Sequence, residues 1–189
     1  MIKAKPTIYK NILFRSRLEA KWAIFFDEMG IAWQYEPGTY MVPINGYFIK
    51  YCPDFALLNV KTQQEISQPL YVEVKGVDHY CEIYEKERKI IESFGSSNSL
   101  IVLGSFPMNV NYLFREPDYI CNFFLINGQN MPCFFSEYND EPWLVDKYRV
   151  TSNCQKTNDA LYMACNACFE DPQIRPIYDG MYDDETPPF

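Results

Sequence analysis

The run SLIVL at residues 99–103 most constrains what this chain can fold into. A short, fully apolar run of this kind is typical of a strand that is buried on both faces of its sheet. Other elements must then cover both faces of that sheet, and the sequence offers amphipathic helical patterns that can do so. We therefore expect an α/β fold in which helices flank a mixed central sheet.

Residues 16–29, SRLEAKWAIFFDEM, predict the first helix. Their apolar side chains recur at helical spacing and form one stripe. Ser16 is a good N-cap, and Gly30 is a good C-terminal stop. The patterns at 78–94 and 155–169 predict a second and a third helix.

Extended segments separated by turn residues lie between the first two predicted helices. We expect strands at 33–35, 39–44, 47–51, 55–58 and 70–75, with a loop at 59–69. Asn45-Gly46 is a strong hairpin signal. A further hairpin is expected from 118–126 and 133–138, around Asn127-Gly128. With 99–103, the order is helix, three or more strands, helix, strand.

The net charge of −8 argues against a protein that coats nucleic acid non-specifically, although the first 21 residues are mostly basic. No apolar stretch approaches the roughly 20 residues of a membrane span, and the N-terminus lacks the pattern of a secretory signal. The seven Cys are odd in number and irregularly spaced. We expect a cytoplasmic protein without membrane contact, whose thiols are mostly buried rather than paired.

Charged residues interrupt two of the predicted strands. Asp54 opens the strand at 55–58, and Glu73 and Lys75 lie two apart on the strand at 70–75. Residues two apart on a strand point to the same face, so neighbouring strands would bring two carboxylates and one ammonium together. Carboxylate oxygens suit Mg²⁺, and a bound metal lowers the pKa of a water and stabilises charge on a phosphate. The pattern predicts a site for phosphodiester hydrolysis.

This arrangement resembles the PD-(D/E)XK nuclease superfamily, since Pro53-Asp54 is followed after 18 residues by Glu73-Val74-Lys75. The predicted element order across residues 12–104 resembles the αβββαβ order of that superfamily. The stretch RSRLEAKWAIFFDEMGIAWQYEP is similar to small phage and mobile-element nucleases. Many members of the superfamily carry a Glu on the first helix, and Glu19 resembles that residue. The resemblance implies a restriction-endonuclease-like core and a Mg²⁺-dependent endodeoxyribonuclease that acts on DNA, with Mn²⁺ as a substitute.

The resemblance also implies roles for individual residues. Asp54, Glu73 and Glu19 would hold the metal, and Lys75 would act on the attacking water, which makes these four residues the candidate catalytic set. Basic residues near the first and second predicted helices are candidate contacts to the DNA backbone. These candidates are Arg15, Arg17, Lys21, Lys86 and Lys89.

Most of these residues also have a structural explanation. Glu19 stands at the third position of a capping box that begins at Ser16, and Asp54 suits a turn at the start of a strand. Glu73 and Lys75 could form an ion pair on an exposed strand. The bases of the second helix could pair with neighbouring acids at helical spacing on a solvated face.

Cys165-x-x-Cys168, with Cys154 nearby, resembles half of a zinc site. A second such pair is missing, and His79 is the only histidine, so helix packing is the favoured interpretation of these cysteines. Whether they bind zinc stays open at this point.

The sequence predicts a nuclease core at 1–104, a β-hairpin and helix extension packed on it at 105–169, and an acidic extended tail at 170–189. The chain's last residues, MYDDETPPF, resemble the tip of bacterial single-strand-binding proteins. The resemblance implies docking onto a replication or repair protein through a set of tail residues. These are Asp183, Asp184, Glu185, Pro188 and Phe189. Alternatively, the tail folds back over the protein's own basic groove, or it is a disordered acidic tail.

A rival function is a catalytically silent or partner-dependent protein on a nuclease fold. Such a protein would act through protein–protein interaction, for example by inhibiting or recruiting a host defence or repair factor. The net charge of −8 favours this alternative, whereas the intact set of Asp54, Glu73 and Lys75 opposes it. The form of the DNA, its sequence and the oligomeric state stay open, although a dimer would suit double-strand cleavage.

Overall fold

The computed structural model describes residues 4–62, 69–77, 80–105, 122–126, 129–146 and 155–169. Within these residues the protein is mixed α/β, with several sheets and three α-helices. The helices are α1 (Arg17–Glu28), α2 (Glu85–Gly95) and α3 (Gln155–Asn166), and a 3₁₀ turn spans Tyr80–Glu82. None of these helices is long and apolar enough to cross a lipid bilayer.

The strands form one large sheet and two hairpin sheets. In chain order they are β1 (Thr7–Tyr9), β2 (Ile12–Phe14), β3 (Trp33–Tyr35), β4 (Tyr40–Ile44), β5 (Tyr47–Tyr51), β6 (Phe55–Leu57), β7 (Lys61–Thr62), β8 (Leu70–Val74), β9 (Leu100–Leu103), β10 (Asn122–Ile126), β11 (Gln129–Tyr138) and β12 (Glu141–Asp146). The large sheet has the order β3-β6-β8-β9-β10-β11-β12-β7, while β1-β2 and β4-β5 form separate two-stranded sheets.

The predicted signals set both ends of α1. The Ser16 side chain caps the helix by accepting a hydrogen bond from the Glu19 amide at 3.2 Å. At the other end Gly30 adopts a φ of 72°, and its amide donates to the Asp27 carbonyl at 3.0 Å. This left-handed residue ends the helix. The prediction of the first helix is confirmed.

The core of the sheet is built from β3, β6, β8 and β9. The pairs β3–β6 and β6–β8 are antiparallel, whereas β8 and β9 are parallel. A parallel pair needs a crossover connection, and α2 lies in the chain between β8 and β9. The sheet is therefore mixed, as predicted.

Each face of this sheet has its own buried cluster. One cluster packs the apolar side chains of α1 and α3, such as Phe26 and Leu161, against Phe55 and Val72. On the opposite face, Ala56 and other sheet residues pack against α2 and the β4–β5 hairpin. Since Phe55 and Ala56 are neighbours on β6, side chains on this strand alternate between the two clusters, as strand geometry requires.

Several boundaries differ from the predictions. The second helix starts at Glu85 rather than at residue 78, because a 3₁₀ turn precedes it and no side chain caps its first turn. The predicted loop at 59–69 contains β7, which pairs in parallel with β12. Strand β11 begins at Gln129, earlier than predicted, and the predicted turn at 127–128 lies outside the described residues.

Candidate functional site

The sheet register brings Asp54 and Glu73 together. Phe55 pairs with Val72 in the antiparallel β6–β8 ladder, so Asp54 lies opposite Glu73 one position further on. Both residues are buried, with 3% and 6% of their surface exposed. The Val74 amide donates to Asp54 Oδ2 at 2.7 Å. Two buried carboxylates thus occupy the same face of neighbouring strands, as the sequence predicted.

Both carboxylate oxygens of Glu73 have hydrogen-bonding partners. The Tyr51 hydroxyl donates to Oε2 at 2.7 Å, and Lys75 Nζ lies 2.9 Å from Oε1. Lys75 Nζ also lies 3.4 Å from Glu87 Oε2, on α2. The ammonium is therefore held between a buried carboxylate and a half-exposed one.

Glu19 is buried in the first turn of α1 and accepts three hydrogen bonds. Ser16 Oγ donates to Oε1 at 2.8 Å, while the Arg15 amide at 3.1 Å and the Tyr35 hydroxyl at 2.6 Å donate to Oε2. The Ser16 half of the predicted capping box is present, since the Ser16 hydroxyl accepts a hydrogen bond from the Glu19 amide. In the other half, the Glu19 carboxylate accepts hydrogen bonds from the Arg15 amide and the Ser16 hydroxyl. Glu19 therefore fixes the start of α1 beside the carboxylate pair.

Arg15 joins the helix start to the sheet. Its Nη2 forms an ion pair with Asp54 Oδ1, and its Nε lies 3.1 Å from Glu36 Oε1 and 4.0 Å from Glu19 Oε2. One guanidinium thus contacts three carboxylates, of which only that of Glu36 lies at the surface.

Burial and mutual repulsion shape the electrostatics of the site. Burial, followed by the nearby Glu73 carboxylate, raises the pKa of Asp54 well above its ordinary value, although the Val74 amide and Arg15 oppose the shift. Burial alone would lower the pKa of Lys75, but the carboxylates of Glu73, Glu87 and Asp54 together outweigh it, so the pKa is raised. The site thus gathers carboxylates in a poorly solvated place, with the Arg15 and Lys75 cations beside them.

The donor chemistry of the pair fits a divalent metal. Asp54 and Glu73 offer carboxylate oxygens only, and Mg²⁺ is usually held by one or two carboxylates with several waters. Among the residues the structure describes, no three His, Cys, Asp or Glu side chains form a metal-binding group. The structure does not gather Glu19 with the pair in such a group, so its metal role stays a prediction.

The predicted DNA-contacting bases have varied surroundings. Lys21 Nζ donates to the Cys165 carbonyl at 2.8 Å and so ties α1 to the end of α3. Lys89 pairs with Glu85 at 2.6 Å, at the helical spacing that the structural explanation gave it. Arg17 and Lys86 are exposed. Contacts of these bases with DNA stay predictions.

Sequence reasoning missed four residues around the site, namely Tyr35, Glu36, Tyr51 and Glu87. Tyr35 was within reach of prediction, because it pairs with Phe55 once β3 is placed beside β6. Tyr51 gave no signal, since it belongs to the separate β4–β5 sheet and its approach to Glu73 depends on tertiary packing.

Other predicted sites fall partly outside the described residues. Cys165 is half-buried and Cys168 is exposed, while Cys154 and His79 lie outside the described residues. The predicted partner-binding residues all lie outside as well. They are Asp183, Asp184, Glu185, Pro188 and Phe189.

In comparisons with known proteins, no protein-family model, no curated protein and no solved structure matches the chain. Evidence for the function of this protein therefore lies in the geometry and chemistry of its own residues.

Proposed function

We propose that this protein is a metal-dependent endodeoxyribonuclease of the PD-(D/E)XK type. The observation that carries the proposal is the juxtaposition of buried Asp54 and Glu73 on neighbouring strands, with Lys75 Nζ 2.9 Å from Glu73 Oε1. Two buried acids and a lysine at this spacing match the chemistry of phosphodiester hydrolysis assisted by a metal.

The order of elements supports the same proposal. Helix α1 precedes the antiparallel run β3-β6-β8, and α2 leads from β8 to the parallel strand β9. This order resembles the αβββαβ order of a restriction-endonuclease-like core. Asp54 directly precedes β6 and Glu73 lies near the end of β8. Because these two strands are antiparallel neighbours, the two acids meet at the same end of the strand pair.

The residues divide the work of the reaction between them. Asp54 and Glu73 would hold Mg²⁺, which when bound lowers the pKa of a water and stabilises negative charge on the phosphate. Lys75 would orient the attacking water through its ammonium. The Val74 amide and the Tyr51 hydroxyl hold the two carboxylates in place, and such supporting hydrogen bonds tune metal ligands.

The energetics of burial favour a functional role for these charges. Removing ionised groups from water costs several kcal/mol per ion in order of magnitude, and an ion pair rarely recovers the whole cost. Here Glu73 and Asp54 repel each other across neighbouring strands, which adds to that cost. An arrangement that lowers stability is expected where binding or catalysis requires it.

Cleavage assays test the proposal directly. Supercoiled, linear and single-stranded DNA are incubated with wild-type protein and Mg²⁺ or Mn²⁺, beside Lys75→Ala and Asp54→Ala. Lys61→Met is the matched control, because Lys61 forms an exposed ion pair at the far edge of the sheet. We expect metal-dependent cleavage by the wild type and the control, and none by the other two variants. Equal cleavage by all four proteins would contradict the proposed site.

One observation favours the second candidate, a silent or partner-dependent protein on this fold. All four oxygens of the Asp54 and Glu73 carboxylates contact donors of the chain itself, including the Arg15 guanidinium. The net charge of −8 points in the same direction. A folded wild-type protein that cleaves no DNA with either metal would favour this candidate.

A further inference from the structure

Arg15 enters the carboxylate site from the protein surface. Its side chain is 57% exposed, whereas that of Asp54, which it contacts, is only 5% exposed. The residue directly precedes the N-cap of α1, and its own amide is tied to Glu19 and Tyr35. The backbone of Arg15 is thus fixed beside the site while its guanidinium reaches in from solvent.

The two oxygens of Asp54 differ in how they are held. Oδ2 accepts the Val74 amide, which belongs to the β8 strand and cannot leave without disrupting the sheet. Oδ1 faces the Arg15 guanidinium, which is carried by a long, exposed side chain. Asp54 Oδ1, the oxygen that a metal would use, is therefore covered by the Arg15 guanidinium, which can move away.

We propose that Arg15 is a displaceable counterion of the carboxylate pair. In this inference, which rests on the proposed nuclease function, Arg15 neutralises Asp54 in the metal-free protein and yields its place to a divalent cation. The released guanidinium then contacts a phosphate of the bound nucleic acid.

The surroundings of Arg15 suit such an exchange. Arg15 Nε lies 3.1 Å from Glu36 Oε1, and this half-exposed carboxylate gives the side chain a second anchor outside the buried site. The pair with Glu36 is weak because solvent screens it, and the Arg15 end of the pair with Asp54 is itself 57% exposed, so water can hydrate the guanidinium as it leaves the buried carboxylate. The planar guanidinium also matches phosphate geometry, which a lysine at this position would do less well.

Competition with Arg15 should lower the apparent affinity of the site for metal. A ligand binds more weakly when the competent state is only partly populated. Mn²⁺ binding to DNA-free protein, measured by calorimetry or electron paramagnetic resonance, tests this. We expect Arg15→Met to bind Mn²⁺ about fivefold more tightly than wild type, a factor typical of a partly exposed ion pair. Arg15→Lys should lie close to wild type, and Lys61→Met, the matched loss of one exposed cation, should equal it.

A second measurement uses wild-type protein and so does not depend on how a variant folds. The guanidinium Nε resonance of Arg15 is followed by NMR during a Mg²⁺ titration. We expect it to shift along with metal binding and to become exposed to solvent exchange. Metal binding that leaves this resonance unchanged, or an Arg15→Met variant that binds Mn²⁺ no more tightly than wild type, would overturn the proposal.

The phosphate half of the proposal is tested in a Lys75→Ala background, in which cleavage is expected to be absent. Binding of a fluorescent oligonucleotide is measured by anisotropy with and without Mg²⁺. Adding Arg15→Met should weaken binding about fivefold with Mg²⁺ and leave it unchanged without. An equal effect in both conditions would overturn the metal-coupled release.

These tests separate the two proposals. Metal binding that Asp54→Asn abolishes and Arg15 does not influence would sink the counterion role and leave the proposed metal site standing. If neither wild type nor Arg15→Met binds Mg²⁺ or Mn²⁺, both the counterion role and the proposed function fail.

Discussion

Two lysine–glutamate ion pairs at opposite parts of the sheet use the same chemistry in different surroundings. Lys61 Nζ lies 2.5 Å from Glu141 Oε2 at the far edge of the large sheet, and the two side chains are 51% and 47% exposed. Lys75 Nζ lies 2.9 Å from Glu73 Oε1, where the exposures are 24% and 8%. The distances are similar, but the solvation differs.

Solvation decides what each pair can do. An exposed pair is screened by water and contributes about 0–1 kcal/mol to stability. A buried pair has lost much of its hydration, and replacing it with apolar groups is often neutral or stabilising. The Lys61 pair is therefore sufficiently explained as a surface contact. The Lys75 pair, with Asp54 opposite, needs a further explanation, which the proposed metal-assisted chemistry supplies.

The largest expected effect is on cleavage by Lys75→Met. Removing the ammonium takes away the group that orients the water, and we expect the rate of DNA cleavage to fall by a factor on the order of 10³ or more, to the point where cleavage is no longer detected. Quenched-flow or gel assays of a labelled DNA measure the rate, and circular dichroism checks that the variant is folded. A folded variant that cleaves DNA as fast as wild type would show that the Lys75 pair matters no more for cleavage than the Lys61 pair.

Tyr51→Phe should sharpen the comparison by removing a supporting hydrogen bond rather than a charge. The Tyr51 hydroxyl donates to Glu73 Oε2, and loss of such a partner lowers metal affinity or activity about 10–100-fold. Tyr40→Phe is the matched control, because Tyr40 pairs with Tyr51 across the hairpin and its hydroxyl contacts Tyr71 instead. Equal losses in the two variants would point to hairpin packing as the cause.

The pH dependence of stability should distinguish the buried site from the exposed one. Because the pKa of Asp54 is raised in the folded protein, the folded state binds more protons than the unfolded state above about pH 3.9, the ordinary Asp value. Stability is then lost as pH rises through this range. Metal-free Asp54→Asn should be more stable than wild type by roughly 1–2 kcal/mol near neutral pH.

The stability advantage of Asp54→Asn should shrink toward pH 4, because Asp54 of the folded wild type is then protonated and, like Asn, carries no charge. Urea unfolding at a series of pH values measures the difference between the two proteins. A difference that stays constant with pH, or that grows as pH falls, would contradict the raised pKa of Asp54.

The smallest expected effect belongs to Lys61→Met. Because the pair with Glu141 is half exposed at the sheet edge, we expect the free energy of unfolding to change by no more than about 0.5 kcal/mol. DNA cleavage should equal that of wild type. A large loss of stability in urea unfolding would show that the exposure of an ion pair does not predict its contribution to the free energy of unfolding.

Local signals in the sequence were sufficient for most of the core. The apolar stripe and caps of α1, the Asn45-Gly46 turn and the apolar run of β9 each predicted the element that is present. The spacing of Glu73 and Lys75 predicted that both side chains point to one face, and Lys75, which directly follows β8, contacts Glu73. These features depend on neighbours in the chain, which is why periodicity detects them.

Hairpins without glycine escaped prediction. Lys10 and Asn11 connect β1 to β2 with φ values of 48° and 62°, and Asn139 and Asp140 connect β11 to β12 with 53° and 61°. Asn and Asp tolerate this left-handed conformation better than most residues. Without a following glycine, however, the dipeptides do not stand out in the sequence.

The contacts of Tyr51 and Arg15 with the carboxylates were also beyond the sequence. Both contacts join segments that are far apart in the chain, Arg15 to Asp54 and Tyr51 to Glu73. Periodicity carries no information on such pairs, because they depend on how the hairpin and the start of α1 pack on the sheet.

The most direct test of the central claim compares Mg²⁺-dependent DNA cleavage by wild type and Asp54→Asn near neutral pH, on preparations whose unfolding free energies are measured in parallel. The account predicts that the variant is at least as stable as wild type and cleaves no DNA. A variant that cleaves as wild type does, or one that loses cleavage only because it has lost its fold, would contradict the claim that this buried carboxylate serves the reaction.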